Sequence, residues 1–210
     1  MTVATPRSPA DRVIIEDVSW ETYAAFLKDL EHRSSPRLSF DQGVLEIVTP
    51  HLEHESVNRV LATIVEIALE EFDIDFENAG STTLKREALK RGCEPDSSFY
   101  IQHIESVRHR ARVDMDVDPP PDLLIEVDLT KDSHDKLPLY AALCVPEVWR
   151  YEDTLEIWIL DQGRYTRSHM SLALPALTED MVTHLVQSRR TMRRPAWVRQ
   201  IRERLRSLRR

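Results

Sequence analysis

The stretch PPDLLIEVDLTKDSHDKLPLYAALCVPEVWRYE, residues 120–152, decides the fold. Its two short and almost continuous apolar runs, LLIEV and VPEVW, are typical of strands buried on both faces of a sheet. Between them, apolar residues recur at helical spacing over residues 137–143. This helix is expected to begin near Asp135 or Lys136, because Pro138 would clash with the preceding turn of any longer helix. The stretch therefore predicts strand, helix and strand at the centre of an α/β protein.

Two helices and a hairpin are predicted on the N-terminal side of this stretch. Apolar residues at helical spacing indicate a short helix over residues 20–30 and a long one starting at Thr49-Pro50. Thr49 is a suitable cap for the long helix, and Pro50 is tolerated in its first turn. Between the helices, Asp41-Gln42-Gly43 separates two strand-like runs, which indicates a hairpin.

More strands are predicted around and after the central stretch. Residues 96–104 have strand character, and the charged, Pro-ended segment 105–121 reads as a loop. LEIWIL at 155–160 is a further predicted strand. A second DQG, at 161–163, is predicted to form a turn that leads into another strand, RYTRS. The order of elements predicts a mixed α/β fold with one central sheet.

The chain divides into a leader (1–19), a globular domain (20–188) and an arginine-rich tail (189–210). The tail contains ten arginines and one acid, Glu203, so it carries +9, and because the whole chain carries −8, the rest carries −17. Such a tail is either a solvated helix face or a segment that lies along phosphates. We expect it to add affinity for nucleic acid and to take no part in chemistry.

Composition excludes several classes of protein. The four glycines are too far apart for a P-loop or a dinucleotide fingerprint, so no nucleotide cofactor is expected. Cys93 and Cys144 form no CxxC pair, which argues against a disulfide framework or a cysteine-rich zinc site and predicts two buried thiols. No apolar run approaches the ~20 residues of a membrane span, and the N-terminus has no apolar signal core, so a cytoplasmic protein without membrane contacts is expected.

Glu126 is the most informative residue, because it interrupts the apolar run LLIEV. Strand alternation puts Leu124, Glu126 and Asp128 on one face. A buried carboxylate costs several kcal/mol unless a metal ion, a paired cation or a raised pKa compensates it. Asp96 opens the preceding strand, so Asp96 and Glu126 would converge on one divalent cation if the strands are neighbours, and their oxygens suit Mg²⁺ or Mn²⁺. The alternative is a structural ion pair between Glu126 and a lysine or arginine.

His54 lies in the middle of the apolar stripe of the long helix, at its first turn. The spacing of the stripe therefore turns His54 inward. An inward histidine is most often a satisfied core residue, and it becomes a candidate for chemistry only if it lies beside Glu126. Glu55, on the margin of the stripe, is the carboxylate of this helix nearest to the sheet.

Four segments, in this order, resemble the Uma-type restriction endonuclease family of the PD-(D/E)XK nuclease superfamily: GVLEIVTPHLEHESVNRVL, EPDSSFYI, PPDLLIEVDLTKDSHDKLPLYAALCVPEVWRYE and LEIWIL. The resemblance covers residues 20–185. It implies a restriction-endonuclease-like α/β core, a central mixed sheet flanked by helices, that hydrolyses DNA phosphodiester bonds with Mg²⁺. It also implies that Asp96 and Glu126 are the metal ligands, and His54 matches the histidine at the start of the family's long helix.

The chain departs from the superfamily pattern at two positions. The lysine that follows the second acid by two residues is replaced by Asp128, and the nearest lysines are Lys131 and Lys136. Lys136 matches the lysine that the family keeps four residues before a tyrosine, so we expect it to reach the site from the following helix. A family acid after the first strand's arginine appears here as Ser39. Loss of catalysis is therefore the rival hypothesis.

The resemblance implies a magnesium-dependent endonuclease in which Asp96 and Glu126 hold the metal and Lys136 orients the nucleophile or neutralises developing charge. DNA would contact a basic surface, for which the loop arginines and the tail are the sources; the loop candidates are Arg108, Arg110 and Arg112. The alternatives are an inactive nuclease-fold protein that binds nucleic acid or acts as a scaffold, and a metal-dependent enzyme with another substrate.

A homodimer is also expected. Trp149, Tyr151 and Trp158 lie on late strands whose alternation turns some aromatic surface outward. Endonucleases of this type commonly act as pairs across two strands, and the competing interpretation places all three rings in the core.

Overall fold

The computed structural model of the chain describes residues 10–129 and 135–209. Within these ranges it contains eleven strands, six α-helices and one short 3₁₀ helix (Glu87–Leu89). The strands are β1 (Ala10–Ile15), β2 (Arg37–Asp41), β3 (Val44–Pro50), β4 (Glu77–Asn78), β5 (Leu84–Arg86), β6 (Arg91–Cys93), β7 (Ser97–Tyr100), β8 (Leu123–Val127), β9 (Glu147–Tyr151), β10 (Leu155–Asp161) and β11 (Arg164–Ser168). The helices are α1 (Trp20–Asp29), α2 (Leu52–Glu71), α3 (Ile104–Val107), α4 (Leu137–Ala142), α5 (Glu179–Ser188) and α6 (Arg194–Leu208).

The strands form two sheets, whereas the sequence predicts one. The smaller sheet has the order β1-β3-β2-β6-β5 and is antiparallel. The larger sheet has the order β11-β10-β9-β8-β7-β4. In this sheet β8 runs parallel to β9, and all other neighbouring strands are antiparallel. The N-terminal hairpin is separate because β2 pairs with β6 and not with a strand of the larger sheet. The mixed α/β class is confirmed, with helices flanking the sheets.

Helices cover both faces of the larger sheet. Leu123, Ile125 and Val127 of β8 belong to the core cluster shared with α2, α5 and α6. Leu124 belongs to a second cluster with Tyr140 of α4. The alternation along β8 is therefore as the sequence predicts, and the face that carries Leu124 and Glu126 is the one that α4 covers. The smaller sheet packs against α1 through a separate aromatic cluster.

Both DQG turns have the backbone conformation that tight hairpins need. Gln42 and Gly43 have φ of +49° and +105°, and Gln162 and Gly163 have +47° and +78°. Positive φ at both central residues matches the right-handed twist of the flanking strands. The two hairpins predicted from the sequence, β2-β3 and β10-β11, are therefore confirmed.

Some element boundaries differ from the predictions. Thr49 and Pro50 belong to β3, and α2 begins at Leu52, with His51 as an N-cap whose side chain does not cap the helix and instead contacts Asp11. The strand expected over 96–104 is limited to β7, because α3 begins at Ile104. Residues 10–15, expected in a leader, form β1 and pair with β3. That pairing joins segments about 35 residues apart, so no local pattern reports it.

The arginine-rich segment is a packed helix and not a loose tail. Trp197, Ile201 and Leu205 of α6 are fully buried in the main core. Arg202 and Arg206 hydrogen-bond to Glu71 of α2, and these bonds hold the pKa of the Glu71 carboxyl below its usual value. Several of the arginines thus form the solvated face of a helix that stabilises the fold.

Burial corrects two further expectations. Trp149 and Tyr151 are in the core and Trp158 is half-buried, so these rings do not form an outward aromatic surface. Cys93 is buried as expected, but Cys144 is exposed. Among the described helices, none combines the length and apolar character that crossing a bilayer requires.

Trp197→Ala should destabilise the protein by about 3–5 kcal/mol, because it opens a cavity in the core and removes the hydrogen bond from the indole Nε1 to the Leu185 carbonyl. Arg204→Ala, on an exposed position of the same helix, is the control and should change stability by less than ~0.5 kcal/mol. Urea unfolding measures both. Equal effects of the two substitutions would contradict the placement of α6 in the core.

Candidate active site

A narrow pocket of about 90 Å³ lies where the two sheets meet. Strands β2 and β3 line it from the smaller sheet, and β8 lines it from the larger one. The first turns of α2 and α4 close it. It has room for about three water molecules, or for a phosphate group, but not for a nucleoside. Asp96, Glu126, Lys136 and His54, which come from four separate segments, all line this pocket.

Asp96 lies immediately before β7 and is buried. Its Oδ2 accepts a hydrogen bond of 2.7 Å from the Val127 backbone N–H of β8, and its Oδ1 pairs with the Arg37 guanidinium. Asn58 of α2 fixes the backbone here, because its side-chain amide donates to the Asp96 carbonyl at 3.0 Å. Asp96 is thus held by both sheets and by α2.

His54 points inward from the first turn of α2, as the apolar stripe predicts. Its Nε2 is 3.3 Å from Asp96 Oδ2, and its Nδ1 makes no hydrogen bond within the described residues. Burial and the nearby Arg37 charge lower the pKa of His54 to about 4. The imidazole is therefore neutral at neutral pH and lies beside the Asp96 carboxylate without neutralising it.

Glu126 projects from β8 toward α4. Its Oε1 accepts a hydrogen bond of 2.5 Å from the Tyr140 hydroxyl, and its Oε2 is 3.8 Å from Lys136 Nζ. Its side chain keeps 15% of its exposure, so it lies at the pocket wall and is not sealed in the core. The compensation that a buried carboxylate requires is thus supplied, in this structure, by a hydroxyl donor and a nearby ammonium group.

Lys136, at the N-cap of α4, lies between two carboxylates. Its Nζ is 3.1 Å from Glu46 Oε2 and 3.8 Å from Glu126 Oε2. Burial alone would lower the pKa of Lys136, but the charges of Glu126 and Glu46 outweigh it and raise the pKa above its usual value. The lysine is therefore charged at neutral pH. Lys131, the other lysine considered from the sequence, lies outside the described residues.

Glu46 of β3 is the acid that the sequence analysis missed. It lies directly opposite Ser39 in the β2-β3 hairpin, and the Ser39 hydroxyl donates to its Oε2 at 2.8 Å. Burial would raise the pKa of Glu46, but Lys136 and Arg12 outweigh burial and keep it below the usual value. A carboxylate is thus present directly across the hairpin from position 39. The DQG hairpin fixes that register, so the pairing could be read from the sequence.

Besides Arg12, two further arginines that line this pocket were missed by the sequence analysis. Arg37 pairs with Asp96 and with Glu55 of α2. Glu55, expected from the sequence to lie near the sheet, is thus linked to the site through Arg37. Arg150 of β9 binds Asp128 at 3.0 Å. Asp128, which stands where the superfamily has its lysine, therefore has its own counter-charge on the adjacent strand.

The three loop arginines lie outside this pocket. Arg108 pairs with Asp75 at 2.6 Å, and Arg110 pairs with Asp118 at 3.3 Å. Arg112 is 85% exposed and 3.6 Å from Glu31. The first two are thus occupied by acidic side chains, and Arg112 lines a separate, neighbouring cleft.

The donor chemistry of the pocket fits a hard divalent cation. Asp96 and Glu126 both present carboxylate oxygens to it, and Mg²⁺ typically binds one or two carboxylates and takes its remaining ligands from water and substrate phosphates. Over residues 10–129 and 135–209, no three His, Cys, Asp or Glu side chains are grouped as a complete metal cage. Arg37 and Lys136 now neutralise the two acids, so a cation entering here competes with them.

Comparison with known proteins identifies a family over most of the chain. The Uma2 family, described as "Putative restriction endonuclease", matches residues 20–190. A solved structure described as a "putative nuclease belonging to DUF820" from Anabaena variabilis ATCC 29413 has a similar fold, with a TM-score of 0.53 at 12% identity. The match covers 80% of this chain and 99% of that one. No protein of curated function matched the chain.

Lys136→Met should lower the free energy of unfolding by about 3 kcal/mol, because it leaves Glu46 and Glu126 without the cation between them. Adding Glu126→Gln should recover part of the loss, since the glutamine carbonyl still accepts from Tyr140 and one negative charge is removed. Lys28→Met, at an exposed position, is the control. Urea unfolding would contradict the charge arrangement if Lys136→Met were as stable as this control.

Proposed function

Because the chain belongs to the Uma2 family of restriction-endonuclease-like proteins, we propose that it is a divalent-metal-dependent nuclease that hydrolyses phosphodiester bonds in DNA. One observation carries the proposal. The carboxylates of Asp96 and Glu126 and the ammonium group of Lys136 line one pocket, with Lys136 Nζ 3.8 Å from Glu126 Oε2. A lysine from α4 thus reaches the acid that the superfamily's strand lysine would serve.

Asp96 and Glu126 are the residues that would hold Mg²⁺ or Mn²⁺. Such a cation supplies a bound water of lowered pKa and polarises the scissile phosphate. The hydrogen bond from the Val127 backbone to Asp96 Oδ2 and the one from Tyr140 to Glu126 Oε1 fix the direction of each carboxylate. Preorganised ligands of this kind need little rearrangement when the charge of the transition state develops.

The charge state of Lys136 decides which role it takes. Because the pKa of Lys136 is raised, the side chain is protonated at neutral pH and cannot remove a proton from water. Its role is to orient the attacking water or to neutralise the charge that develops on the phosphate. His54 touches Asp96 and is neutral, so it acts as a positioning residue for that carboxylate.

The alternative is an inactive protein of nuclease fold that binds nucleic acid or serves as a scaffold. The main argument for it is Asp128 at the usual lysine position, but Arg150 already neutralises Asp128 and Lys136 serves Glu126 from α4. Ser39, at a position where the family has an acid, is a second argument for an inactive protein. Against it, Glu46 on the opposite strand provides a carboxylate that contacts Ser39. A metal-dependent enzyme for other phosphodiesters remains the second alternative.

Wild-type protein should cleave DNA in Mg²⁺ or Mn²⁺, and Asp96→Asn or Glu126→Gln should lower the rate at least ~100-fold, because each removes a charged ligand and its electrostatic stabilisation. Arg204→Ala is the surface control. Parallel assays with DNA, RNA and bis(p-nitrophenyl) phosphate separate the three functions. If the wild type cleaves none of these substrates in the presence of metal, the nuclease proposal is wrong and the inactive alternative is supported. Glu126→Gln should also abolish the rise in melting temperature that Mn²⁺ causes in the wild type.

We also propose a homodimer, on a different surface from the aromatic one expected from the sequence. Strand β1 is an edge strand of the smaller sheet, and its consecutive residues Val13, Ile14 and Ile15 are 53%, 46% and 40% exposed. Among residues 10–129 and 135–209, no strand pairs with the outer edge of β1. An apolar edge strand favours pairing with a second copy. Size-exclusion chromatography with light scattering should give a mass twice the 24.4 kDa of one chain. Ile14→Lys should reduce the measured mass to that of a single chain. A 24.4 kDa species at micromolar wild-type protein would contradict the dimer.

A further inference from the structure

A second depression, the α1 cleft, borders the candidate active site. It lies between helix α1 and the segments 79–85 and 111–113, and its volume is about 580 Å³. Arg37 and Glu94 line both the α1 cleft and the active-site pocket, so the two depressions are adjacent. A nucleotide, which the pocket of about 90 Å³ cannot hold, has room in the cleft next to it.

The two depressions have opposite charge. The active-site pocket is lined by six acidic and four basic side chains, which gives it an acidic balance. The α1 cleft is lined by five basic and two acidic side chains in a chain whose net charge is −8. Its basic residues are Lys28, Arg33, Arg37, Lys85 and Arg112. A cation is thus attracted to the pocket, and a polyanion is attracted to the cleft beside it.

Most of the cleft's positive charge is available to a ligand. Lys28, Arg33 and Lys85 are exposed, and across residues 10–129 and 135–209 their side chains make no hydrogen bond or ion pair. Arg112 has only a long contact of 3.6 Å with Glu31. By contrast, Arg108 and Arg202 are occupied by acids at 2.6–2.7 Å. Unpaired basic side chains in a concave surface are the groups that bind phosphates at the lowest cost in lost contacts.

We propose that the α1 cleft binds the DNA backbone next to the scissile phosphate, through Lys28, Arg33, Lys85 and Arg112. This proposal rests on the proposed nuclease function, since it names the path of the same substrate. No aromatic side chain lines the cleft, so the described surface offers no platform for stacked bases. The contacts are therefore to phosphates and tolerate any sequence. The Ser81 hydroxyl adds a further donor, whereas those of Thr82 and Thr83 already donate to the Ala79 carbonyl and to Glu94.

The test compares two double variants with equal loss of charge. Arg33→Gln/Lys85→Gln neutralises two cleft residues, and Arg199→Gln/Arg204→Gln neutralises two exposed residues of α6. Helix α6 packs along α2 toward Glu71, which is about 25 Å along the helix from His54. Binding of a fluorescein-labelled 20-bp duplex of mixed sequence is measured by anisotropy from 50 to 200 mM salt, with Ca²⁺ in place of Mg²⁺.

The cleft variant should bind the duplex at least tenfold more weakly, and the slope of log K against log salt should become shallower by about 1.8, which is 0.9 for each lost phosphate contact. The α6 variant should keep the wild-type slope. Equal changes in the two variants, or no change in the cleft variant, would overturn the proposal. Wild-type protein that binds no duplex would overturn it as well.

A second readout separates this proposal from the nuclease function. Bis(p-nitrophenyl) phosphate needs only the pocket, so its metal-dependent hydrolysis should be the same in the cleft variant and in the wild type. If both hydrolyse it equally and the cleft variant still binds DNA as tightly as the wild type, the cleft proposal fails and the proposed chemistry stands. If the wild type hydrolyses neither this substrate nor DNA, the nuclease function fails, and the binding data alone decide the role of the cleft.

Discussion

The ammonium group of Lys136 lies between Glu46 of the smaller sheet and Glu126 of the larger one, and the junction of the two sheets depends on it. Two carboxylates held at such a junction repel each other unless a cation balances them. Removing one charge of an ion pair that is shielded from water destabilises a protein because it leaves the other charge unbalanced. Arg37 makes the same kind of bridge between β2 and Asp96. The residues that hold the sheets together are thus the residues that line the candidate active site.

Local patterns in the sequence predict the parts of the fold that depend on local interactions. The apolar stripe of α2 gives the inward direction of His54, the DQG turns give both hairpins, and alternation along β8 gives the face of Glu126. The pairing of β1 with β3 and the docking of α6 on α2 depend on distant segments, so the sequence analysis assigned both to loose ends. In residues 189–210 the sequence analysis considered the many arginines and overlooked the apolar residues at helical spacing, Trp197, Ile201 and Leu205.

The same limit explains which site residues were found. Asp96, Glu126 and Lys136 stand in motifs that a single stretch of chain reveals. Glu46 and Arg37 belong to the site only because the smaller sheet folds against the larger one, and that packing follows from no spacing in the sequence. Asp128 was read as a sign of lost chemistry, but parallel pairing of β8 and β9 sets Arg150 beside it. A lysine at position 128 would face Arg150 and be repelled by it. An acid at position 128 is therefore compatible with a lysine that reaches Glu126 from α4, at position 136.

The arrangement of charge also has a consequence for the order of binding. The pocket is acidic, and its two candidate ligands are already neutralised by Arg37 and Lys136, so an incoming cation must displace internal ion pairs while DNA alone meets a repulsive surface. The unpaired cations of the α1 cleft lie in the adjacent depression, where they would attract the phosphate backbone without competing for those carboxylates. DNA held in the cleft brings phosphate oxygens to the pocket, and these oxygens add ligands that the chain itself lacks there. Metal and DNA should therefore strengthen each other's binding, and by linkage the coupling must be equal in both directions.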